Sequence, residues 1–366
     1  MSSTERSLYD LTLAELAEWV TEQGEPAYRA RQIFHELYKP NAAATPEGMT
    51  ALPKSFREKL ATAFPVRGLE LAQKQESSDG TVKYLSKLPD EQFVETVMIP
   101  VEKPLGLTEA APSVSAHRRT VCVSTQVGCA YGCAFCASGL AGFKRNLSAG
   151  EIVQQVLLAS RPSTGSGRAV TNIVFMGMGE PLSNYENVLK AIRILNAPEG
   201  FQIGARKITI STVGLVPMIE RLGKEGLQVE LSISLHAPND ELRGKLMPVN
   251  KKYPVAELIQ ACRAYVQATK RLITFEYILI DQVNDNVKEA QELAKLLEGL
   301  LCKVNLIPCH PIPGQSWGRP ALPRMLAFEK ILRIKGIPCT LRRSRGLDID
   351  GACGQLRLRH LEKVAK

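Results

Sequence analysis

The strongest constraint on the fold of this chain is a regular alternation of strand-like and helix-like segments that begins at residue 119. Helical stretches separate six β-rich runs, which lie at residues 119–124, 172–176, 207–211, 229–235, 273–280 and 303–308. This alternation is typical of parallel α/β folds, in which helices return the chain across a sheet. Six units are too few for a complete eight-stranded barrel, so we predict an open, partial (β/α)6 barrel.

Two shorter regions precede the alternation, so that three units are predicted. They are a helical accessory unit at residues 1–65, a β-hairpin extension with a linker at 66–118, and a core with a C-terminal loop at 119–366. In the extension, two β-rich runs flank residues 89–91, which predicts a hairpin. Residues 101–118 contain proline, serine and alanine without periodicity, so we expect a flexible insertion there.

The accessory unit begins with a capping box from Thr12 to Glu15, followed by apolar residues at helical spacing. Further helices are predicted at residues 28–37 and 53–64. Basic residues of this unit include Arg29, Arg31, Lys54, Arg57 and Lys59. They suit contact with RNA and suit a solvated basic face equally well, so both interpretations stay open.

Charge and cysteine content indicate the kind of partner and the cellular compartment of this protein. The net charge of +9 and the pI of about 9.1 favour a polyanionic partner such as nucleic acid, although charge alone does not establish one. An odd count of nine cysteines in 366 residues does not suit a secreted disulfide framework. Because we find neither a secretion signal nor an apolar stretch long enough to span a bilayer, we expect a cytoplasmic protein with no membrane partner.

Three cysteines, Cys129, Cys133 and Cys136, lie within eight residues directly after the first strand of the alternation. A structural zinc site has four protein ligands, and an ordinary four-iron cluster also has four. A C-x3-C-x2-C triplet therefore leaves one iron of a four-iron cube free to bind a substrate. The alternatives are an incomplete zinc knuckle or three buried thiols.

The segment Gly177-Met-Gly-Glu-Pro181 follows the second strand. Leu182 stands where a dinucleotide-binding fingerprint has its last glycine, so this segment is not such a fingerprint. Two glycines at a strand end allow the backbone to approach a ligand, and the carboxylate of Glu180 can accept an ammonium group. The alternative is an ordinary turn.

Three residues outside these motifs are candidates for chemistry. Glu95, in the second run of the predicted hairpin, is either an outward-facing residue or a base aimed into a pocket, and the outward position is favoured. Cys353 lies in a glycine-flanked loop near three arginines at residues 342–345, where an exposed thiol would have a lowered pKa and act as a nucleophile. Cys122, on the strand before the triplet, is expected near the same rim, within reach of Cys353. Two inert core cysteines are the alternative.

Six motifs follow one another in the order VCVSTQVGCAYGCAFC, VFMGMGEPL, ISTVGLVP, SISLHAPND, VNLIP and RGLDIDGACGQL. Together they resemble the RlmN/Cfr family of radical S-adenosylmethionine (SAM) RNA methyltransferases. The resemblance extends from about residue 80 to residue 357, and the accessory unit is similar to the N-terminal domain of that family.

The resemblance implies a [4Fe-4S] cluster and SAM as cofactors, with Cys129, Cys133 and Cys136 as the cluster ligands. The implied contacts to SAM are Gly179, Glu180, Ser211, Ser234, Leu235, His236 and His310. The family usually has asparagine where this chain has His310. A histidine does not offer the paired donor and acceptor of an amide, so this contact is expected to differ.

The resemblance also implies a reaction, the methylation of an adenine at C2. This carbon is electron-poor and carries a non-acidic hydrogen, so it cannot attack the methyl group of SAM as an ordinary nucleophile. A radical is therefore needed. Cys353 is the implied methyl carrier, Cys122 the residue that forms a disulfide with it to release the base, and Glu95 the proton acceptor.

The implied partners are 23S rRNA, tRNA with its target adenine 3′ of the anticodon, and an electron donor such as a flavodoxin, and we expect a monomer. Methylation at C2 is the favoured expectation. Methylation of the same ribosomal adenine at C8 is the nearest alternative, and a non-catalytic iron–sulfur or zinc RNA-binding protein is another.

Overall fold

The computed structural model describes residues 6–39, 45–64, 68–100, 118–140, 142–160, 170–310, 317–342, 345–346, 348–349, 351 and 353–364. The predicted insertion at 101–118, except its last residue, and Arg343 lie outside the described residues.

Twelve strands are present in the described part of the chain. In order they are β1 Glu70–Glu76, β2 Val82–Lys87, β3 Phe93–Ile99, β4 Thr120–Cys122, β5 Gln126–Gly128, β6 Phe143–Asn146, β7 Asn172–Phe175, β8 Ile208–Thr212, β9 Glu230–Ser234, β10 Ile273–Leu279, β11 Cys302–Pro308 and β12 Cys339–Leu341.

Ten of these strands form one mixed sheet in the order β1-β2-β3-β4-β7-β8-β9-β10-β11-β12. Strands β1 to β4 pair antiparallel, whereas every neighbouring pair from β4 to β12 is parallel. Strands β5 and β6 form a separate hairpin. The α/β class, the partial barrel and the antiparallel extension are therefore confirmed.

Four strands were not among the predicted segments. Strands β5, β6 and β12 have only three or four residues each, too few to show a period in the sequence. The polar segment ELAQKQE forms β1, and its side chains are exposed or half-buried. It pairs with β2 through the backbone, so it shows no apolar alternation.

Helices cover the parallel part of the sheet and build the accessory unit. They are α1 Leu13–Glu22, α2 Tyr28–Tyr38, α3 Lys54–Ala63, α4 Ala137–Leu140, α5 Ala149–Ser160, α6 Tyr185–Asn196, α7 Val216–Leu222, α8 Asp240–Leu246, α9 Val255–Thr269, α10 Val287–Leu296, α11 Leu322–Ile334 and α12 Gln355–Val364. The three predicted accessory helices and the capping box at Thr12 and Glu15 are confirmed. Within the described ranges, no helix is both long and apolar enough to cross a membrane.

The accessory unit packs on the core through α5 and α6. The Gly150 amide at the start of α5 donates a hydrogen bond to Asp10 (2.7 Å), and Lys190 on α6 pairs with Glu15 (2.7 Å). The buried apolar side chains of the unit join those of the barrel in one continuous core. This packing fixes the accessory unit against the helices that follow β6 and β7.

Candidate active site

The three cysteines of the triplet lie on one loop between β5 and α4, and all three are half-buried. Backbone hydrogen bonds hold this loop. The Cys129 amide donates to the Gly142 carbonyl (3.1 Å), and the Ala134 amide donates to the Leu246 carbonyl (2.9 Å). Burial raises the pKa of Cys129 to about 11 and also raises the pKa of Cys133, and the neighbouring thiols add to both shifts.

The donor chemistry of this loop fits an iron–sulfur cluster. Three soft sulfur donors suit a four-iron cube with one iron left without a protein ligand. The charge of Cys136 raises the pKa of both Cys129 and Cys133, so the three sulfurs can serve one group. Among the described residues, no group of three or more His, Cys, Asp or Glu side chains is found that could hold a metal ion. The fit to an iron–sulfur cluster therefore rests on the spacing of the three cysteines in the sequence and not on a preformed metal cage.

Glycine is required at position 179 by both its backbone and its surroundings. Its φ is +101°, and an added Cβ would lie 2.5 Å from Cβ of Gln126. The next residue, Glu180, is buried, and its carboxylate accepts hydrogen bonds from the amides of Leu182 (2.9 Å) and Val213 (2.8 Å). Burial raises the pKa of Glu180 to about 7. Glu180 thus joins the carboxyl ends of β7 and β8 at the rim.

His236 follows β9 in a left-handed backbone conformation, with φ of +59°. Its Nδ1 accepts a hydrogen bond from the Ile278 amide (3.0 Å), so the neutral ring carries its proton on Nε2. Burial lowers the pKa of His236 to about 3. The ring meets Phe135 of the cysteine loop edge to face, with 4.7 Å between the centroids. The end of β9 therefore touches the loop that carries the triplet.

The remaining predicted SAM contacts also lie at or near strand ends of the same sheet. Ser211 and Ser234 are half-buried at the ends of β8 and β9, and the amide of the buried Leu235 donates to the Glu276 carbonyl (3.1 Å). His310 is half-buried after β11, and burial lowers its pKa. All seven predicted contacts thus lie at, or shortly after, the carboxyl ends of β7, β8, β9 or β11.

Arg243 on α8 ties these strand ends together and was not predicted. It is fully buried and donates hydrogen bonds to the carbonyls of Val213 (2.6 Å), Ser234 (3.3 Å) and Leu235 (3.2 Å). Burial lowers its pKa to about 10. Nothing in the segment DELRGKL distinguishes Arg243 from a surface arginine, so no sequence signal identifies it.

Glu95 on β3 is only 2% exposed, so the favoured outward position is wrong. Its carboxylate forms an ion pair with the fully buried Lys83 of β2 (2.8 Å). It also accepts hydrogen bonds from the amides of Gly354 (2.7 Å) and Arg357 (2.8 Å). The C-terminal helix α12 covers β3 on this face, and the prediction failed because sequence alternation does not show which face a distant helix will cover.

Cys353 is half-buried, and its Sγ lies 3.2 Å from Oγ of Ser138 on α4. The predicted lowered pKa is wrong. Burial raises the pKa of Cys353 well above its ordinary value, and the negative charge of Glu95 adds to the shift. Of the neighbouring arginines, Arg345 donates a hydrogen bond to the Asp79 carbonyl.

Cys122 stands at the end of β4, in register with Val97 of β3 and Val174 of β7. Burial raises its pKa to about 11, and its charge interacts with both Glu95 and Cys353. The structure therefore brings Cys122, Cys353 and Glu95 together. All nine cysteines lie within the described residues and are free thiols, so the predicted disulfide is not formed in this structure.

Two further residues of the site were missed. Lys83 shares a face of β2 with the buried Leu85, and a lysine at an apolar position is a signal that could have drawn attention to it. Ser138 follows the triplet by two residues, and a single serine there carries no signal.

Matches to family models and to known proteins agree with this geometry. Residues 123–297 match the model of the radical SAM superfamily, and residues 6–66 match that of the ribosomal RNA large subunit methyltransferase N-terminal domain. A crystal structure of a radical SAM methyltransferase from Sphaerobacter thermophilus is similar at 53% identity, with a TM-score of 0.87. The match covers 96% of this chain and 98% of that chain.

Two curated relatives are similar over nearly the whole chain. A probable dual-specificity RNA methyltransferase RlmN from Geobacillus kaustophilus is 46% identical over 98% of this chain and 94% of its own length. One of the same description from Bacillus thuringiensis subsp. konkukian is 45% identical over 100% and 97%.

The fold and the site define a radical SAM enzyme, a class that implies SAM and an iron–sulfur cluster as cofactors. The chain belongs to the RlmN family of radical SAM RNA methyltransferases. Its substrate is accordingly RNA.

Proposed function

We propose that this enzyme methylates C2 of an adenine in 23S rRNA, and the adenine 3′ of the anticodon in tRNA, with Cys353 as the methyl carrier. The observation that carries the proposal is the meeting of Cys353, Cys122 and Glu95 beside the cysteine loop. Ser138, which contacts the Cys353 thiol, is only two residues beyond Cys136. The dual specificity named for the two relatives supports two kinds of RNA substrate.

The rim residues suit the cofactors that the class implies. We assign the cluster to Cys129, Cys133 and Cys136, and SAM to Gly179, Glu180, Ser211, Ser234, Leu235, His236 and His310. When bound, SAM and the cluster supply the methyl group and the radical that the reaction needs. Glu180 offers a buried carboxylate to an ammonium group, and the proton on Nε2 of His236 is available for donation.

Cys353, Glu95 and Cys122 each carry out one of the remaining steps of the reaction. Cys353 receives a methyl group on sulfur, and that carbon bonds to C2 of the adenine once the radical that the cofactors would supply has taken one of its hydrogen atoms. Glu95 accepts the proton that leaves C2, and one electron of the adduct would return to the redox cofactor, so that the base regains its closed-shell ring. The Cys122 thiolate then attacks the Cys353 sulfur to form a disulfide; the bond between that sulfur and the transferred carbon breaks, its electron pair stays on the carbon, and a proton taken up there completes the methyl group. In this reaction the protein mainly positions the reactants.

The accessory unit offers part of an RNA-binding surface. Lys54 and Lys59 are exposed, whereas Arg31 lies 3.9 Å from Glu199 and Arg29 lies 3.7 Å from Glu25. The two lysines therefore support a contact with phosphate groups more strongly than the arginines do. This unit, at 1–65, is proposed to act with the extension at 66–118 and the core at 119–366.

We further propose a cytoplasmic monomer that receives electrons from a donor such as a flavodoxin. Nine free thiols support a reducing compartment.

Mass spectrometry of nucleosides tests the proposed reaction. Enzyme reconstituted anaerobically is incubated with SAM, a reductant and unmodified 23S rRNA or tRNA. We expect 2-methyladenosine in both RNAs. Formation of 8-methyladenosine would show that the enzyme methylates C8 instead of C2. The absence of both products from a cluster-loaded enzyme would overturn the proposal.

Two variants test the proposed roles of the cysteines. Wild-type enzyme should carry S-methylcysteine at position 353, and Cys353→Ala should not, although it still binds RNA. Cys122→Ala should accumulate RNA attached to Cys353, detected as a slow band in a denaturing gel. If neither S-methylcysteine nor attached RNA forms, a non-catalytic RNA-binding protein is the better reading.

A further inference from the structure

The loop of Cys353 ends in a helix whose N-terminus has an unusual cap. The carbonyl of Gly354 accepts the first bond of α12, from the Leu358 amide (3.0 Å), so Gly354 is the N-cap residue and Arg357 is the third helical residue. In a capping box the side chains of these two positions accept each other's amide hydrogens. Here one carboxylate, that of Glu95, accepts both amides.

Glycine at position 354 explains why the cap comes from another strand. Its φ is +84°, and an added Cβ would lie 2.8 Å from the Ser138 amide nitrogen and 2.9 Å from its Oγ. A capping side chain therefore does not fit at this position. Strand β3 supplies the acceptor, and the bonds to Glu95 fix Gly354, directly after Cys353, and Arg357 in the first turn of α12.

This cap depends on a negative charge in a buried place. Glu95 is 2% exposed and Lys83 is fully buried, and Lys83 forms the only ion pair that the described residues give Glu95. Arg357 also attracts Glu95, but its buried Nε has no hydrogen-bond partner among the described residues. A buried carboxylate without a paired cation tends to take up a proton, and a neutral carboxyl group accepts amide hydrogens more weakly.

We propose that Lys83 is a positioning residue of the reaction: through Glu95 and the N-terminus of α12, it holds the Cys353 loop in place. The contacts run from Lys83 to Glu95 and on to Gly354, beside Cys353. The positive charge of Lys83 also favours the thiolate form of Cys122. The charge of Glu95 acts on both Cys122 and Cys353. The proposal rests on the proposed function only in treating Cys353 as the methyl carrier.

Hydrogen exchange measured on the anaerobically reconstituted holoenzyme tests the proposal. In Lys83→Met, the amides of Gly354 and Arg357 should exchange at least about tenfold faster than in the wild type, because charge-assisted hydrogen bonds weaken. Lys83→Arg should restore slow exchange to within about threefold, since it keeps the charge. Lys74→Met is the matched control, because it removes a lysine that pairs with Glu76 on the neighbouring strand β1. It should leave both amides unchanged.

Methylation of Cys353, followed by intact mass without RNA, gives a second readout. It should slow by about tenfold in Lys83→Met and recover in Lys83→Arg. The affinity for SAM should not change, because Lys83 is not among the rim residues. Unchanged exchange and methylation in a folded Lys83→Met enzyme would overturn the proposal, as would failure of Lys83→Arg to recover.

A second variant covers the case in which Lys83→Met does not fold. Glu95→Gln removes the negative charge and leaves one acceptor oxygen, so the same two amides should exchange faster. If they keep wild-type protection, the cap does not hold the loop and the proposal is wrong. Exchange needs no RNA, so an enzyme with the expected exchange that makes no 2-methyladenosine would refute the proposed function alone.

Discussion

The two loops that bring cysteines to the site are held in different ways. The loop of Cys129, Cys133 and Cys136 is framed by the β5–β6 hairpin, and the Cys129 amide donates to the carbonyl of Gly142, just before β6. The Cys353 loop is held by partners far away in the sequence, among them Glu95 and Ser138. It is also held by Asp348, which accepts hydrogen bonds from Ser77 and Ser78 at the turn before β2.

The two loops have different tasks: the first is proposed to bind a cofactor, and the second to position a reacting thiol. The first loop has a local frame, the adjacent hairpin, besides its long-range contacts with Leu246 and His236, and its cysteines reveal their task by spacing. The second loop depends on three other elements, so a change in any of them should displace Cys353. Variants should therefore affect the two loops separately.

The largest expected effect is the loss of activity when either the cluster or the methyl carrier is removed, and iron content distinguishes the two losses. Cys133→Ala and Cys353→Ala should each reduce methylated RNA by about a thousandfold or more, because each removes a member of one catalytic unit. Iron analysis after reconstitution should show loss of iron in Cys133→Ala and full content in Cys353→Ala. Loss of iron in Cys353→Ala would mean that the two loops depend on each other.

The buried carboxylates on the two sides of the site differ in their partners. Glu95 pairs with Lys83, whereas the described residues give Glu180 no ion pair, and burial raises its pKa from 4.5 to about 7. The folded chain therefore holds this proton more tightly than the unfolded chain. The stability that this contributes is fully present below pH 4.5 and is lost as pH rises to 7, about 3 kcal/mol in all.

Urea unfolding at several pH values measures this loss. Between pH 4.5 and 8 the free energy of unfolding of the wild type should fall by about 3 kcal/mol relative to Glu180→Gln. Glu220→Gln, on the exposed side of α7, should follow the wild type. A pH-independent difference between wild type and Glu180→Gln would contradict the raised pKa.

A pair of glycines compares the packing of the two loops. Gly354 and Gly132 both have positive φ, but an added Cβ collides with Ser138 at Gly354 and meets nothing within 4 Å at Gly132. Gly354→Ala should slow methylation of Cys353 by about ten- to a hundredfold, because the collision displaces the loop. Gly132→Ala should lower the free energy of unfolding by about 1 kcal/mol and leave Cys353 methylation near the wild-type rate. Equal rates in the two variants would show that the contact with Ser138 does not matter.

The smallest expected effect concerns the hydroxyl of Ser138. Ser138→Ala removes one hydrogen bond to the Cys353 thiol and should slow its methylation by about fivefold, the effect of about 1 kcal/mol. Iron content should stay at the wild-type level. A rate loss as large as that of Gly354→Ala would give Ser138 more than the orienting contact seen here.

Much of the fold was predictable from the sequence, because its signals are local. The six predicted strands of the alternation became β4 and β7 to β11, and the second and third accessory helices lie within a residue of the expected bounds. The short strand β12 and the polar strand β1 were not predictable, since neither shows an apolar period. Pairing with β11 and β2 makes them strands.

The sequence supplied many of the candidate site residues, but not Arg243, Lys83 or Ser138, and it did not supply their environment. The positions of Cys122 and Glu180 near the rim follow from the strand order. The burial of Glu95 and the raised pKa of Cys353 do not, because α12 packs on β3 from the other end of the chain. The same long-range packing brings in Lys83 and Ser138.

The sequence by itself determined the alternation of strands and helices and the cysteine triplet, since period and spacing act over a few residues. Tertiary structure alone decided that Glu95 faces inward and that Cys353 is partly withdrawn from solvent. The hydrogen bonds that achieve this join residues 259 and 262 positions apart. No local pattern encodes such contacts, because they exist only when the sheet and the last helix have packed together.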